Sequence, residues 1–276
     1  MANAESAKYR LVVFRAPDSP EPARDMLAKA LKMHPLDASR LVAHMPGILP
    51  GLFTPDQCNM VLDGLFGLKV AAEARLAEQF PDFSRPKQVH DMLLTPGGVN
   101  IRDLVHKQTL HFVPWDQIGL IAAGRIDLPD VVSEYTPPGM TRAVVHGVRR
   151  MLGGGALNRK ERTVHSPVAP KGEAIVWRKR PHGVFRLSED KLRYDILGEH
   201  LATTAAENYP RLLRWLSSAA SEAFLSNGAQ AFINNQADDI PVFDDFNALT
   251  ENATMELLRS WYRADREKAG GGMSVD

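Results

Sequence analysis

Apolar and polar positions change their spacing several times along this chain, and each change marks an element. Tyr9 to Phe14 is a β-favouring run that stops at Ala16-Pro17-Asp18-Ser19-Pro20, which predicts a strand closed by a turn. Ala23, Met26, Leu27, Ala30 and Leu31 then recur at helical spacing, placing a helix over 20–32 with prolines in its first turn. Met33-His34-Pro35 breaks it. A second helix over 35–45 turns Leu41 and Val42 inward and ends at Met45-Pro46-Gly47, and residues 46–53 read as a loop. A third helix opens at Thr54-Pro55-Asp56-Gln57, where Thr54 and Gln57 form a capping box. Its apolar face is Cys58, Val61, Leu62, Leu65 and Phe66, its stop is Gly67, and Lys69 to Leu76 alternates as a strand.

After a proline-bearing linker at 81–87 the pattern becomes β. Val89–Leu94, Thr95-Pro96-Gly97-Gly98 and Val99–Leu104 predict a hairpin. Strands are expected at 109–113 and 117–126, with Trp115 as a core anchor between them. Residues 127–172, interrupted by five prolines and Gly153-Gly154-Gly155, read as a long, partly mobile excursion. Strands resume at 174–179, 183–187 and 192–196. Thr204-x-x-Glu207 then signals a helix carrying Leu212, Leu213, Leu216, Ala220 and Phe224, with Pro210 bending it or marking its start. A last helix from about Thr250 turns Met255, Leu258, Trp261 and Tyr262 inward, and 267–276, with Gly270-Gly271-Gly272, reads as a disordered tail. The fold class that follows is α+β. A small α/β-sandwich module at 8–80 precedes a β-rich domain at 88–266 that is closed by helices.

Composition narrows the function. The 276 residues carry 33 basic and 33 acidic side chains, so any electrostatic footprint is local. One cysteine, Cys58, excludes an intramolecular disulfide and a thiolate zinc site, and its place on an apolar helix face predicts a buried small hydrophobe. No apolar h-region or membrane-length run occurs, which leads to the expectation of a cytoplasmic protein with no membrane partner.

The order strand, helix, helix, loop, helix, strand over 9–76 is carried by LVVFRAPDSPEPARDMLAKAL, LDASRLVAHMPG and LFTPDQCNMVLDGLFGLKVAAEA. It resembles the C-terminal domain of the bacterial ribosomal stalk protein and the related adaptor of the Clp protease. The resemblance covers about a quarter of the chain. It implies a non-enzymatic module that docks a protein partner, and it assigns no individual binding residue. Residues 88–225 are loosely similar in element order to a pleckstrin-homology-type barrel.

The expected function is therefore a protein-binding or adaptor role without catalysis. Its contact surface is the exposed side of helices 20–32 and 35–45 with loop 46–53. Ile48, Leu49, Leu52 and Phe53 are candidate anchors, equally readable as cover for the module's own core, and Lys29, Lys32 and Arg40 are the nearby cations. An alternative is RNA or polyanion binding through 141–180, where ten Lys/Arg face two acids; its candidates are Arg149, Arg150, Arg159, Lys160, Arg162, Arg178, Lys179 and Arg180. Asp238, Asp239, Asp244 and Asp245, interleaved with Ile240, Val242, Phe243 and Phe246, can dock a partner or fold back on the chain itself. A second alternative is an enzyme with His90, His106 or His111 beside Asp103 or Asp116 in the β domain. The histidines lack H-x-H and H-x-x-x-H spacing, the triglycine lacks the P-loop arrangement, and His165-Ser166 on an extended segment would point apart, so no metal site or cofactor is implied.

Overall fold

The computed structural model describes residues 7–127, 131–133, 164–166, 169–268 and 270. The protein is α+β. Its layering is set by alternation within single strands. β1 (Tyr9–Val13) lies between β2 (Gly47–Ile48) and β3 (Ala72–Leu76) in an antiparallel sheet. Leu11 and Val13 face α1 (Pro20–Leu31), α2 (Pro35–Val42) and α3 (Pro55–Gly67), packing with Ala23, Leu27, Ala38, Leu41, Val61 and Leu65. The expected capping box forms: Thr54 Oγ1 accepts from Gln57 N at 3.3 Å and Gln57 Oε1 from Thr54 N at 2.9 Å.

Two expectations here are corrected. Phe66 is 84% exposed rather than inward, because α1 packs on the Gly64 side of α3, where Met26 lies, and Phe66 is on the opposite edge of the apolar stripe. β3 starts at Ala72 rather than 69. Lys69 adopts a left-handed φ of 59° and Val70 N bonds Leu65 O, so the helix exit consumes those residues.

The second half is built on a six-stranded sheet. β8 (Ile118–Ile126) pairs antiparallel with β11 (Lys171–Arg178), β12 (Gly183–Ser188) follows antiparallel, and β4 (Lys87–Val89) closes that edge in parallel. β13 (Phe224–Leu225) and β14 (Val242–Phe243) run parallel along the other side of β8. A separate meander holds β5 (Asp91–Thr95), β6 (Gly98–Arg102) and β7 (Thr109–Pro114). β9 (Val131–Ser133) and β10 (Val164–Ser166) pair antiparallel. Three helices follow: α4 (Ala205–Ala219), α5 (Asn227–Ile233) and α6 (Phe246–Lys268).

Alternation sorts the large sheet into two faces. Ile121, Ala123, Ala174, Val176, Phe185 and Leu187 pack on α4, α5 and the meander. Leu120, Ala122, Ile175, Trp177 and Val184 pack on Leu249, Ala253 and Leu257 of α6. The other side of α6 presents Met255, Leu258 and Tyr262 to Val12, Phe14 and Phe80, with Trp261 touching both clusters. One 23-residue helix therefore lies between the outer face of the N-terminal sheet and the large sheet. Arg75 strengthens that seam by pairing with Glu73 and Asp265, each at 2.6 Å, while lying 5.3 Å over the Trp261 ring.

Elsewhere, sequence and structure part in several places. Leu192–Ile196 is not a strand; it leads into a 3-10 turn at Asp195–His200, with Leu192, Tyr194 and Leu197 buried in the core. The alternation is real but serves anchors without a partner strand: Tyr194 Oη donates to Glu189 O and Arg193 N to His90 O. The extended run expected from Val89 starts at Lys87, the last linker residue, and splits in two: Lys87–Val89 pairs with β12, and the hairpin strand begins at Asp91. α6 starts at Phe246 rather than Thr250 because Asp245 Oδ1 accepts from Ala248 N. α4 starts at Ala205, set by the Thr204/Glu207 capping box, so Pro210 lies inside it without marking its start; the helix ends at Ala219, and Phe224, expected on it, belongs to β13. Trp115 is half-buried against the core and donates Nε1–H to Thr95 O. Most of the 127–172 excursion and most of the 267–276 tail lie outside the described residues; Glu267 and Lys268, expected in the tail, instead end α6. Among the described residues no helix is long and apolar enough to cross a membrane.

Candidate functional site

A cleft of about 800 Å³ opens where residues 43–52 face the first half of α6. On the loop side it is lined by His44, Ile48, Leu49 and Leu52; on the helix side by Glu251, Asn252, Met255 and Arg259, with Arg10 of β1 reaching its floor. The loop is fixed by backbone pairing. Leu49 N donates to Leu11 O, and Phe53 exchanges both main-chain bonds with Tyr9. On the helix side Glu256 accepts from Asn252 Nδ2 at 2.9 Å and from Asn227 N at 2.7 Å, which orients the Asn252 amide. Arg10 lies 5.5 Å over the Phe80 ring. Among the described residues neither Arg10 nor Arg259 forms an ion pair.

The four expected loop anchors divide. Leu52 is half-exposed at the cleft rim and Ile48 packs against the Val12/Leu258 cluster. Leu49 and Phe53 are 1% and 7% exposed and belong to the module's core, so they shape the loop and cannot act as free anchors. Lys29, Lys32 and Arg40 do not line the cleft, and Arg40 pairs with Asp37 at 3.0 Å. Arg10, His44, Glu251, Asn252 and Arg259 were not anticipated. The one sequence signal for them was Arg10 itself, a charge alternating with Val12 and Phe14 on a face otherwise destined for burial.

The other candidate residues disperse. Arg149, Arg150, Arg159, Lys160 and Arg162 lie outside the described residues. Arg178 is engaged structurally: Nε donates to Pro181 O at 2.7 Å and Nη1 to Phe112 O at 3.3 Å. Lys179 is half-buried and Arg180 exposed. The acidic segment folds back, but onto the large sheet: Ile240 is buried, Val242–Phe243 pair with Arg125–Ile126, and Asp245 caps α6. His90 sits 3.1 Å from Lys191 O, while His106 N and Val105 N donate to Asp103. Those N–H groups hold the Asp103 carboxyl below its ordinary range. Among the described residues no group of three His, Cys, Asp or Glu side chains is placed to hold a metal. Cys58 is 3% exposed, and burial pushes its thiol pKa up.

His111 gives a pH prediction. Burial, then the charges of Lys87 and Arg178, hold its pKa below the ordinary imidazole value, and Lys87 Nζ lies 3.1 Å from Nε2. A depressed folded-state pKa means that the unfolded chain binds the proton first. Stability is then full above the unfolded value of about 6.5 and falls as pH drops through the folded pKa. Urea midpoints between neutral and mildly acidic pH should decline in the parent protein, and His111→Gln should flatten that decline.

No family model, curated protein or solved structure matches the chain.

Proposed function

We propose that this is a non-enzymatic binding protein that seats a short extended segment of a partner protein in the cleft between residues 43–52 and α6. The observation that carries this reading is the cleft itself: about 800 Å³, with an exposed apolar rim residue, Leu52, beside two arginines without carboxylate partners among the described residues. That combination suits a segment offering one apolar side chain and an acidic group. The apolar contact supplies burial and the guanidiniums supply orientation. The elements at 9–76 support it: they follow the strand, helix, helix, loop, helix, strand order on which the stalk and Clp-adaptor resemblance rests, with the short strand Gly47–Ile48 inside the loop.

Leu52→Asp should reduce recovery of the bound partner about tenfold, the scale of losing one anchor of 1–2 kcal/mol. The check is quantitative co-purification at equal protein loading, beside Phe66→Ser, which alters an exposed apolar residue away from the cleft. Partners retained equally by Leu52→Asp, or lost only with Phe66→Ser, would move the binding surface elsewhere.

A further inference from the structure

A second concavity, separate from the cleft above, holds an unusual concentration of positive charge. His200, Arg211, Arg214 and Trp215 line a space of about 200 Å³ beside the middle of α4. Arg211, Arg214 and Trp215 are three and four residues apart and so share one side of the helix. His200 comes from the 3-10 turn before it, with its ring edge-on to Trp215 at 5.6 Å.

Both guanidiniums are held by carbonyls rather than by carboxylates. Arg211 Nη1 donates to His200 O, while Arg214 Nε donates to Ile233 O at 3.2 Å and Nη2 reaches the same oxygen. A carbonyl fixes a guanidinium without neutralising it. Arg211 and Arg214 form no ion pair among the described residues, and the walls contain no acid; Glu199, adjacent in sequence, is not among the lining residues. Each guanidinium has five N–H donors, so each has donors left over, and the His200 imidazole can supply another. Trp215 rests on the core and gives the space a rigid aromatic wall.

We infer that this is an anion site for a small phosphate monoester. Two arginines with pre-set planes match the oxygens of a phosphate, which accepts paired N–H donors better than a monodentate anion does. The volume lies below the roughly 300–1,000 Å³ typical of drug-sized ligands. It suits a phosphoryl group with a small organic substituent against Trp215, and it is too small for a peptide of several residues. The site is independent of the cleft reading, and either can fail alone.

The test titrates the full chain with inorganic phosphate and with phenyl phosphate at constant ionic strength, following the tryptophan indole and arginine Nε–H resonances. The expected result is a saturable shift of the Trp215, Arg211 and Arg214 signals together, with tighter binding of phenyl phosphate. Arg211→Gln should weaken it about tenfold, and Lys191→Gln, an exposed cation outside the site, should not. Arg214→Gln also removes the bond to Ile233, so the parent protein's shifts and Arg211→Gln carry the decision. The inference is overturned by no saturable shift at millimolar ligand, by shifts confined to other residues, or by unchanged affinity in Arg211→Gln. Equal affinity for phosphate and phenyl phosphate would overturn the monoester assignment.

Discussion

Replacing Leu258 by alanine should lower the free energy of unfolding by about 2–5 kcal/mol, and should do so for the whole protein in one transition. Leu258 is fully buried where α6 meets Val12, Phe14 and Phe80. Truncation leaves a cavity between a helix and a sheet that are each held from behind, so the site has little room to collapse. The same helix carries Leu249, Ala253 and Leu257 into the large sheet, so loosening one side of α6 disturbs the other. Urea unfolding followed by far-UV circular dichroism and by tryptophan fluorescence checks this, with Trp261 at the seam as one reporter. Coincident curves shifted together are expected. Two separated transitions, with only one shifted, would show that residues 8–80 unfold on their own.

Glu173→Leu should cost about 3–5 kcal/mol, toward the lower end because the Arg186 side chain keeps 28% exposure. Glu173 is 7% exposed and takes Arg186 Nε and Nη2, each at 2.9 Å, as well as the Ser188 hydroxyl at 2.9 Å. The Arg186 guanidinium lies 4.2 Å over the Phe246 ring, beneath the start of α6. Removing the carboxylate leaves a largely buried cation whose remaining neighbours cannot replace two charge-assisted bonds. Removing both charges in Glu173→Leu/Arg186→Leu should recover most of the loss, because the desolvation cost of the pair goes with them. Chemical denaturation of the two single variants and the double variant gives the coupling. Additive losses would contradict the account.

The elements that could be read from the chain are those whose causes are local. Thr54-Pro55-Asp56-Gln57 and Thr204-x-x-Glu207 define their own helix starts, and both capping boxes form. Leu11 and Val13 against Arg10 and Val12 show a strand with two different faces. What stayed hidden depends on partners far along the chain. Lys87 and Gln88 have no strand signature of their own, and Val89 read as part of the hairpin; the three are extended as a separate strand because they lie beside Phe185–Leu187. α5 is seven residues long, and its start is fixed by Ser226, whose hydroxyl accepts from Ala229 N while also accepting from Ala123 N of β8. Glu173 stood out only as one of two acids in the basic stretch 141–180, because its partners Arg186 and Ser188 come from the neighbouring strand.

The cleft was half legible for the same reason. Loop 46–53 stood out by its prolines, glycines and apolar residues, but its opposite wall lies some two hundred residues further on, and nothing in the sequence of α6 ties it to Leu52. Leu49 and Phe53 could not be told from Leu52 by composition, since all three are large and apolar. The main-chain bonds to Leu11 and Tyr9 turn two of them inward.

The most direct test of the proposed function places a photo-crosslinking residue at position 52, at position 251 and, as a comparison, at position 66. The account predicts that one and the same partner segment is caught from 52 and from 251, the two walls of the cleft, and not from 66. A partner caught from 66 alone, or from 52 but never from 251, would contradict a segment lying between the loop and α6.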